Sequence, residues 1–88
     1  MEKIVLDGRC LKEKAYAHRY LKEKLMLPDY YGNNLDALWD MLTETSRSLE
    51  VSVLFGKQLL ENGGCGAGIL KVFLRAEEEM EDFHVILL

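Results

Sequence analysis

Asp36, Asp40 and Glu44 recur every four residues. On a helix at about 100° per residue they form one stripe, roughly 80° wide. Like charges at i, i+4 repel and cost a helix about 0.2–0.5 kcal/mol per pair. Asp36 is partly compensated by the positive N-terminal end of the helix dipole, whereas Glu44 stands at the negative end. No Lys or Arg occurs between Lys24 and Arg47, although Asp29 lies there too. A stripe that costs stability and has no basic residue on its own helix suggests a cationic partner supplied by another molecule. The plain alternative is a solvated helix face. Just before the stripe come Tyr30, Tyr31, Gly32, Asn33 and Asn34. Aromatics among small polar residues are typical of binding hot spots. One tyrosine of the pair is expected in the core and the other at the surface. Trp39 falls on the border between the acidic stripe and an apolar face made by Leu35, Leu38, Met41 and Leu42.

Other residue groups are weaker candidates. Gly63-Gly64-Cys65-Gly66-Ala67-Gly68 precedes a helix, but no strand leads into it and no Lys-Ser/Thr follows, so a phosphate loop is not supported. It reads as a helix stop and a flexible start to the next helix. Cys65 near a helix N-terminus would be reactive if its thiol were activated, but a bystander thiol fits as well. His18 reads as a hydrogen-bonded structural histidine, and His84 similarly. Two histidines and two cysteines at these spacings suggest no metal site, and no cofactor is expected. Five acids crowd residues 77–82, where Arg75 can pair with Glu79 at i, i+4; this run reads as a solvated cap or as added negative surface.

The elements that must carry these residues follow from periodicity. Lys3–Leu6 reads as a strand followed by an Asp7-Gly8 turn. Lys12–Met26 reads as a helix with Ala17, Leu21 and Leu25 on one face, stopped by Pro28. Asn34 is an N-cap for a second helix, Leu35–Glu44. Val51–Phe55 is a strand, Lys57–Glu61 a short helix ended by Asn62-Gly63, and Gly66–Met80 a helix with Ile69, Leu70, Phe73 and Leu74 inward. Phe83–Leu88 is the last strand. The order β-α-α-β-α-α-β implies α/β architecture with a three-stranded parallel sheet and right-handed crossovers. Both terminal strands are expected to be buried, because an exposed apolar edge invites aggregation.

Residues 1–88 are read as one domain. A composition of 49% hydrophobic and 30% charged residues excludes a disordered chain. No apolar run approaches a membrane span or a signal peptide, so a cytoplasmic protein without membrane contact is expected. Cys10 and Cys65 fit a reducing compartment. A net charge of −4 argues against direct nucleic-acid binding. The charge is uneven: residues 1–24 hold seven basic and four acidic side chains, net +3, and residues 25–88 hold four and eleven, net −7.

The segment Leu27-Pro28-Asp29-Tyr30-Tyr31-Gly32-Asn33-Asn34-Leu35-Asp36-Ala37-Leu38-Trp39-Asp40 resembles the signature of the barstar family, intracellular protein inhibitors of guanyl-specific ribonucleases. Val5-Leu6-Asp7-Gly8, His18, Glu61-Asn62-Gly63, Val72-Phe73 and Val85-Ile86-Leu87 extend the similarity along the chain, with a short gap before Val72. The resemblance implies a two-layer barstar-like fold and a non-enzymatic, antitoxin-like inhibitor that is a monomer when free. Its partner would be a basic ribonuclease or nuclease toxin, blocked by the second helix and the loop before it. Asp40 would stand in for phosphate, Asp36 would add an acidic contact, and Tyr30 would cover a catalytic base. Gly32 and Asn34 would lie around the substrate-base site; Trp39 and Glu44 complete the expected partner surface. Three positions depart from the family: Glu44 replaces a glycine, Thr45 a tryptophan, and Arg75 a glutamate that contacts the enzyme. These departures point to a differently shaped cognate. Two readings stay open beside inhibition: an acidic module for a non-nuclease partner, and a small thiol-dependent enzyme using Cys65.

Overall fold

The computed structural model describes residues 1–44 and 47–88. In chain order they form β1 (Glu2–Asp7), a 3₁₀ turn over Gly8–Leu11, α1 (Lys14–Lys24), α2 (Leu35–Glu44), β2 (Leu49–Leu54), α3 (Gly56–Asn62), α4 (Gly64–Glu79) and β3 (Phe83–Leu87). The three strands are parallel in the order β1-β2-β3, with Ile4 beside Val51 and Val51 beside Val85. Two right-handed crossovers that step the same way put the helices on one face of the sheet. Side chains accordingly alternate along β2: Leu49, Val51 and Val53 are buried under the helices, while Glu50 and Ser52 are half-buried and Leu54 is exposed.

The terminal strands are not both buried as expected. They are the two edges of the sheet, and their helix-facing side chains are covered: Leu6 and in part Ile4 on β1, and Phe83, Val85 and in part Leu87 on β3. On the open face Val5 is 54% and Ile86 41% exposed. The β3 edge is blunted from an unexpected source: Glu77 of α4 reaches over, and its Oε2 accepts the Val85 N–H at 2.8 Å. Part of the acidic run therefore has a structural task that a solvated cap would lack.

Local chemistry also moved several boundaries. α1 starts two residues late because the Glu13 carboxylate caps it, accepting from Ala15 N (3.1 Å) and Tyr16 N (2.7 Å). It ends at Lys24, and Met26 turns the chain with φ 55, in the left-handed region. β2 starts at Leu49, since Arg47 and Ser48 already lead the chain alongside β1, where Glu2 N donates to Ser48 O. Phe55 leaves β2 at φ 60. α4 begins at Gly64 rather than Gly66, so Cys65 lies in its first turn. Gly63 at φ 73 makes the sharp break from α3 that only glycine takes without strain. Gly66 admits close helix packing, because a Cβ there would stand 2.5 Å from Leu59 Cδ1.

The core lies between sheet and helices. Leu21 of α1 with Leu25 just past its end, Leu38 and Leu42 of α2, and Ile69, Leu70 and Phe73 of α4 close on Leu6, Val51, Val53 and Phe83. Each such side chain contributes about 1.5–3 kcal/mol on full burial. α2 packs against α4, which leaves the face of α2 carrying Asp36, Asp40 and Glu44 pointing outward. No helix of the described residues is long and apolar enough to cross a membrane.

Candidate functional site

The loop from Pro28 to Asn34 is held at several points before it feeds α2. Tyr31 N donates to Pro28 O at 3.0 Å, closing a turn. The Asn34 side chain does two jobs: its Oδ1 caps α2 by accepting from Ala37 N at 2.7 Å, and its Nδ2 donates to Gly32 O at 3.1 Å. Asn33 takes φ 54, a conformation that asparagine tolerates better than most residues. Lys22 of α1 pairs with Asp29 at 3.3 Å, so Asp29 is not one of the uncompensated acids.

The two tyrosines divide as expected. Tyr31 is buried, and Tyr30 is 78% exposed. Tyr31 Oη lies 2.7 Å from Nδ1 of His18, which is itself buried on α1. Burial pushes the Tyr31 phenol up to about 12, with the nearby Cys65 adding to the shift. Burial, then the charge of Lys14, lowers the His18 pKa, so the ring is neutral. The phenol keeps its proton, and one hydrogen bond joins Tyr31 Oη to the Nδ1 of the ring. His18 is thus the structural histidine expected, and it ties the loop to α1.

On α2, Asp36, Asp40 and Glu44 are exposed, and none makes an ion pair among the described residues. Gly32 and Asn34 are exposed beside the N-terminal end of the stripe. Tyr30 reaches the other end, where it lines a cleft together with Met41 and Glu44. Trp39 is half-buried, with the Arg75 guanidinium of α4 stacked 4.6 Å from its ring centre. The expected site residues therefore share one side of the molecule, running from Gly32 along α2 to Glu44. Thr45, a position where the chain departs from the family signature, lies outside the described residues.

Three features escaped sequence reasoning. Arg47 clamps the end of α1 to β1: Nε and Nη2 donate to the Glu2 carboxylate at 2.9 and 2.8 Å, and Nη1 donates to Leu25 O at 2.6 Å. Its position in the chain carries no hint of these partners. Met26 and Met41 open an apolar cleft next to the stripe; the run Leu25-Met26-Leu27-Pro28, more apolar than a helix end needs, was the available signal. Cys65 and His18, far apart in sequence, line one cleft of about 260 Å³, but the His18 Nδ1 there is already engaged by Tyr31.

A family model described as Barstar (barnase inhibitor) matches residues 1–87. The chain belongs to the barstar family. It is also 40% identical over 91 residues to "Putative ribonuclease inhibitor YrdF" of Bacillus subtilis (strain 168), with 99% of each chain covered. The barstar-like fold anticipated from the motif around Tyr30–Asp40 is present: a three-stranded parallel sheet with helices on one face.

Proposed function

We propose that this chain is a protein inhibitor of a basic, guanyl-specific-type ribonuclease and performs no catalysis of its own. One observation carries this reading: three carboxylates project from α2 without an ion-pair partner among the described residues, beside a loop already held in place by His18, Asn34 and Lys22. Unpaired carboxylates on an ordered element lose little conformational entropy on binding, and their charge is fully available to a partner. Membership of the barstar family and the name of the Bacillus subtilis relative agree with a ribonuclease as partner.

In this mechanism Asp40, central in the stripe, enters the phosphate site and accepts charge-assisted hydrogen bonds from its Lys, Arg and His side chains. Asp36 adds a second acceptor. The exposed Tyr30 ring lies over the catalytic base, and Gly32 and Asn34 border the position of the substrate base. The negative surface also speeds encounter with a basic enzyme.

Titration of a basic ribonuclease with the chain, in an RNA-cleavage assay and by stopped-flow, tests the proposal. Inhibition should be stoichiometric and unaffected by alkylation of Cys65. The association rate should fall steeply as salt rises to about 0.15 M, where the Debye length is about 8 Å. A complex with unchanged nuclease activity would point instead to an acidic module for another partner. Loss of effect on alkylation would point to thiol chemistry.

A further inference from the structure

At the C-terminal end of α2 the acidic stripe runs into a cleft of about 300 Å³ between α2 and the end of α1. Met26, Leu27, Pro28 and Met41 give it apolar walls, and Tyr30 and Glu44 stand at it as well. Met26 is 77% exposed and held at φ 55, a conformation usually left to glycine. The backbone around it is clamped by Leu27 N donating to Lys22 O at 2.9 Å and by Arg47 Nη1 on Leu25 O. An apolar side chain is thus kept in the open at a strained position, where it contributes nothing to the core.

Resting on the inhibitor reading above, we propose that this cleft receives a long basic side chain, lysine or arginine, of the ribonuclease. Its methylenes lie against Met26, Pro28 and Met41, and its cation meets the Glu44 carboxylate beside the Tyr30 ring. Charge decides the occupant. Glu44 has no ion pair among the described residues, and the Arg47 charge that also borders the cleft is matched by the Glu2 carboxylate. A purely apolar occupant would strip water from Glu44 and return nothing for it. A basic side chain brings an apolar stem and a cation in the same order as the cleft offers apolar walls and a carboxylate. An aromatic ring beside the cation adds a further attraction.

The test uses n-butylguanidinium and n-pentanol as probes of the free protein, read by the methyl signals of Met26 and Met41 in NMR. The guanidinium probe should shift both methyls saturably and more tightly than the alcohol, and Glu44→Gln should abolish that preference. In the inhibition assay Glu44→Gln should weaken the complex about tenfold or more, as loss of a charge-assisted bond does. Equal binding of the two probes, or no shift of either methyl, would overturn the proposal. So would wild-type inhibition by Glu44→Gln; if Asp40→Ala still weakened the complex, the inhibitor reading would survive that failure. If no basic ribonuclease responds to the chain and Asp40→Ala changes nothing, the inhibitor reading itself falls, and this assignment with it.

Discussion

The guanidinium carbon of Arg75 lies 4.6 Å from the centre of the Trp39 ring, which joins α4 to the border of the acidic stripe on α2. Glu79 pairs with the same guanidinium, with Arg75 Nε 3.7 Å from its carboxylate. The side chain is two-thirds exposed, so both contacts are modest; an exposed cation–π contact contributes about 0.5–1 kcal/mol. The consequence is positional: a cation is parked at the border of the acidic stripe on α2.

Arg75→Glu is therefore expected to have opposite effects on two kinds of enzyme. Against a ribonuclease presenting a cation at this rim it should raise affinity, mainly through faster association at low salt. Against a cognate presenting an acidic group it should weaken the complex, and that is the expected result for the natural partner. Stopped-flow titration of both variants decides. No change with either enzyme would mean that α4 lies outside the interface.

Asp40→Ala should weaken the inhibitory complex by at least about 2 kcal/mol, the range of a binding hot spot. Folding should be unchanged or slightly improved, because the substitution removes like-charge neighbours at both Asp36 and Glu44. Isothermal titration against the ribonuclease, paired with urea unfolding, separates the two effects. An unfolded variant would contradict the assignment of Asp40 to the surface.

His18 sets a pH dependence. Burial lowers its pKa below the ordinary value of 6.5, so the unfolded chain takes up the proton more readily than the folded one. Stability is then complete above about pH 6.5, declines as the pH falls through that value, and levels off below the folded pKa. Lys14, after burial, favours the neutral ring; Arg19, Lys22, Glu13 and Asp29 line the same cleft as His18. Urea midpoints measured from about pH 8 to about pH 5 should fall, and His18→Gln should flatten the fall. Equal slopes in the two proteins would remove His18 as the cause. The lowered carboxylates Glu2, Asp7 and Glu13 lose their contribution as the pH falls from the ordinary carboxylate values toward their folded ones, beneath the window set by His18.

Glu77→Ala should leave the Val85 N–H on the β3 edge without its acceptor. The loss is expected at about 1 kcal/mol, with a melting shift of roughly 4–8 °C for a chain of this size. An uncovered parallel edge should also raise self-association, visible in light scattering. Glu77→Gln retains an acceptor oxygen and should restore most of both properties. A Glu77→Ala protein as stable and as monomeric as the parent would show that the edge needs no cover.

What the chain's order of residues determined by itself was local or periodic. The Asn34 cap and the i, i+4 acids defined α2 to the residue, from Leu35 to Glu44, because a cap and a stripe both depend on neighbours within one turn. The parallel β-α-α-β-α-α-β order followed from alternating periodicities. The expectation that one of Tyr30 and Tyr31 is core and the other surface followed from the composition of their segment; packing decided which. Tertiary structure alone decided which long-range partners the charged groups found. Arg47 reaches Glu2 across 45 positions, Arg75 covers Trp39, and Glu77 covers the edge of β3. It also decided that both terminal strands are edges and that Met26 and Met41 open a cleft beside Glu44. The reason is physical: hydrophobic periodicity encodes which face of an element turns inward. Strand order and the reach of long polar side chains are set only when the separate elements pack, and no spacing within a single element carries that information.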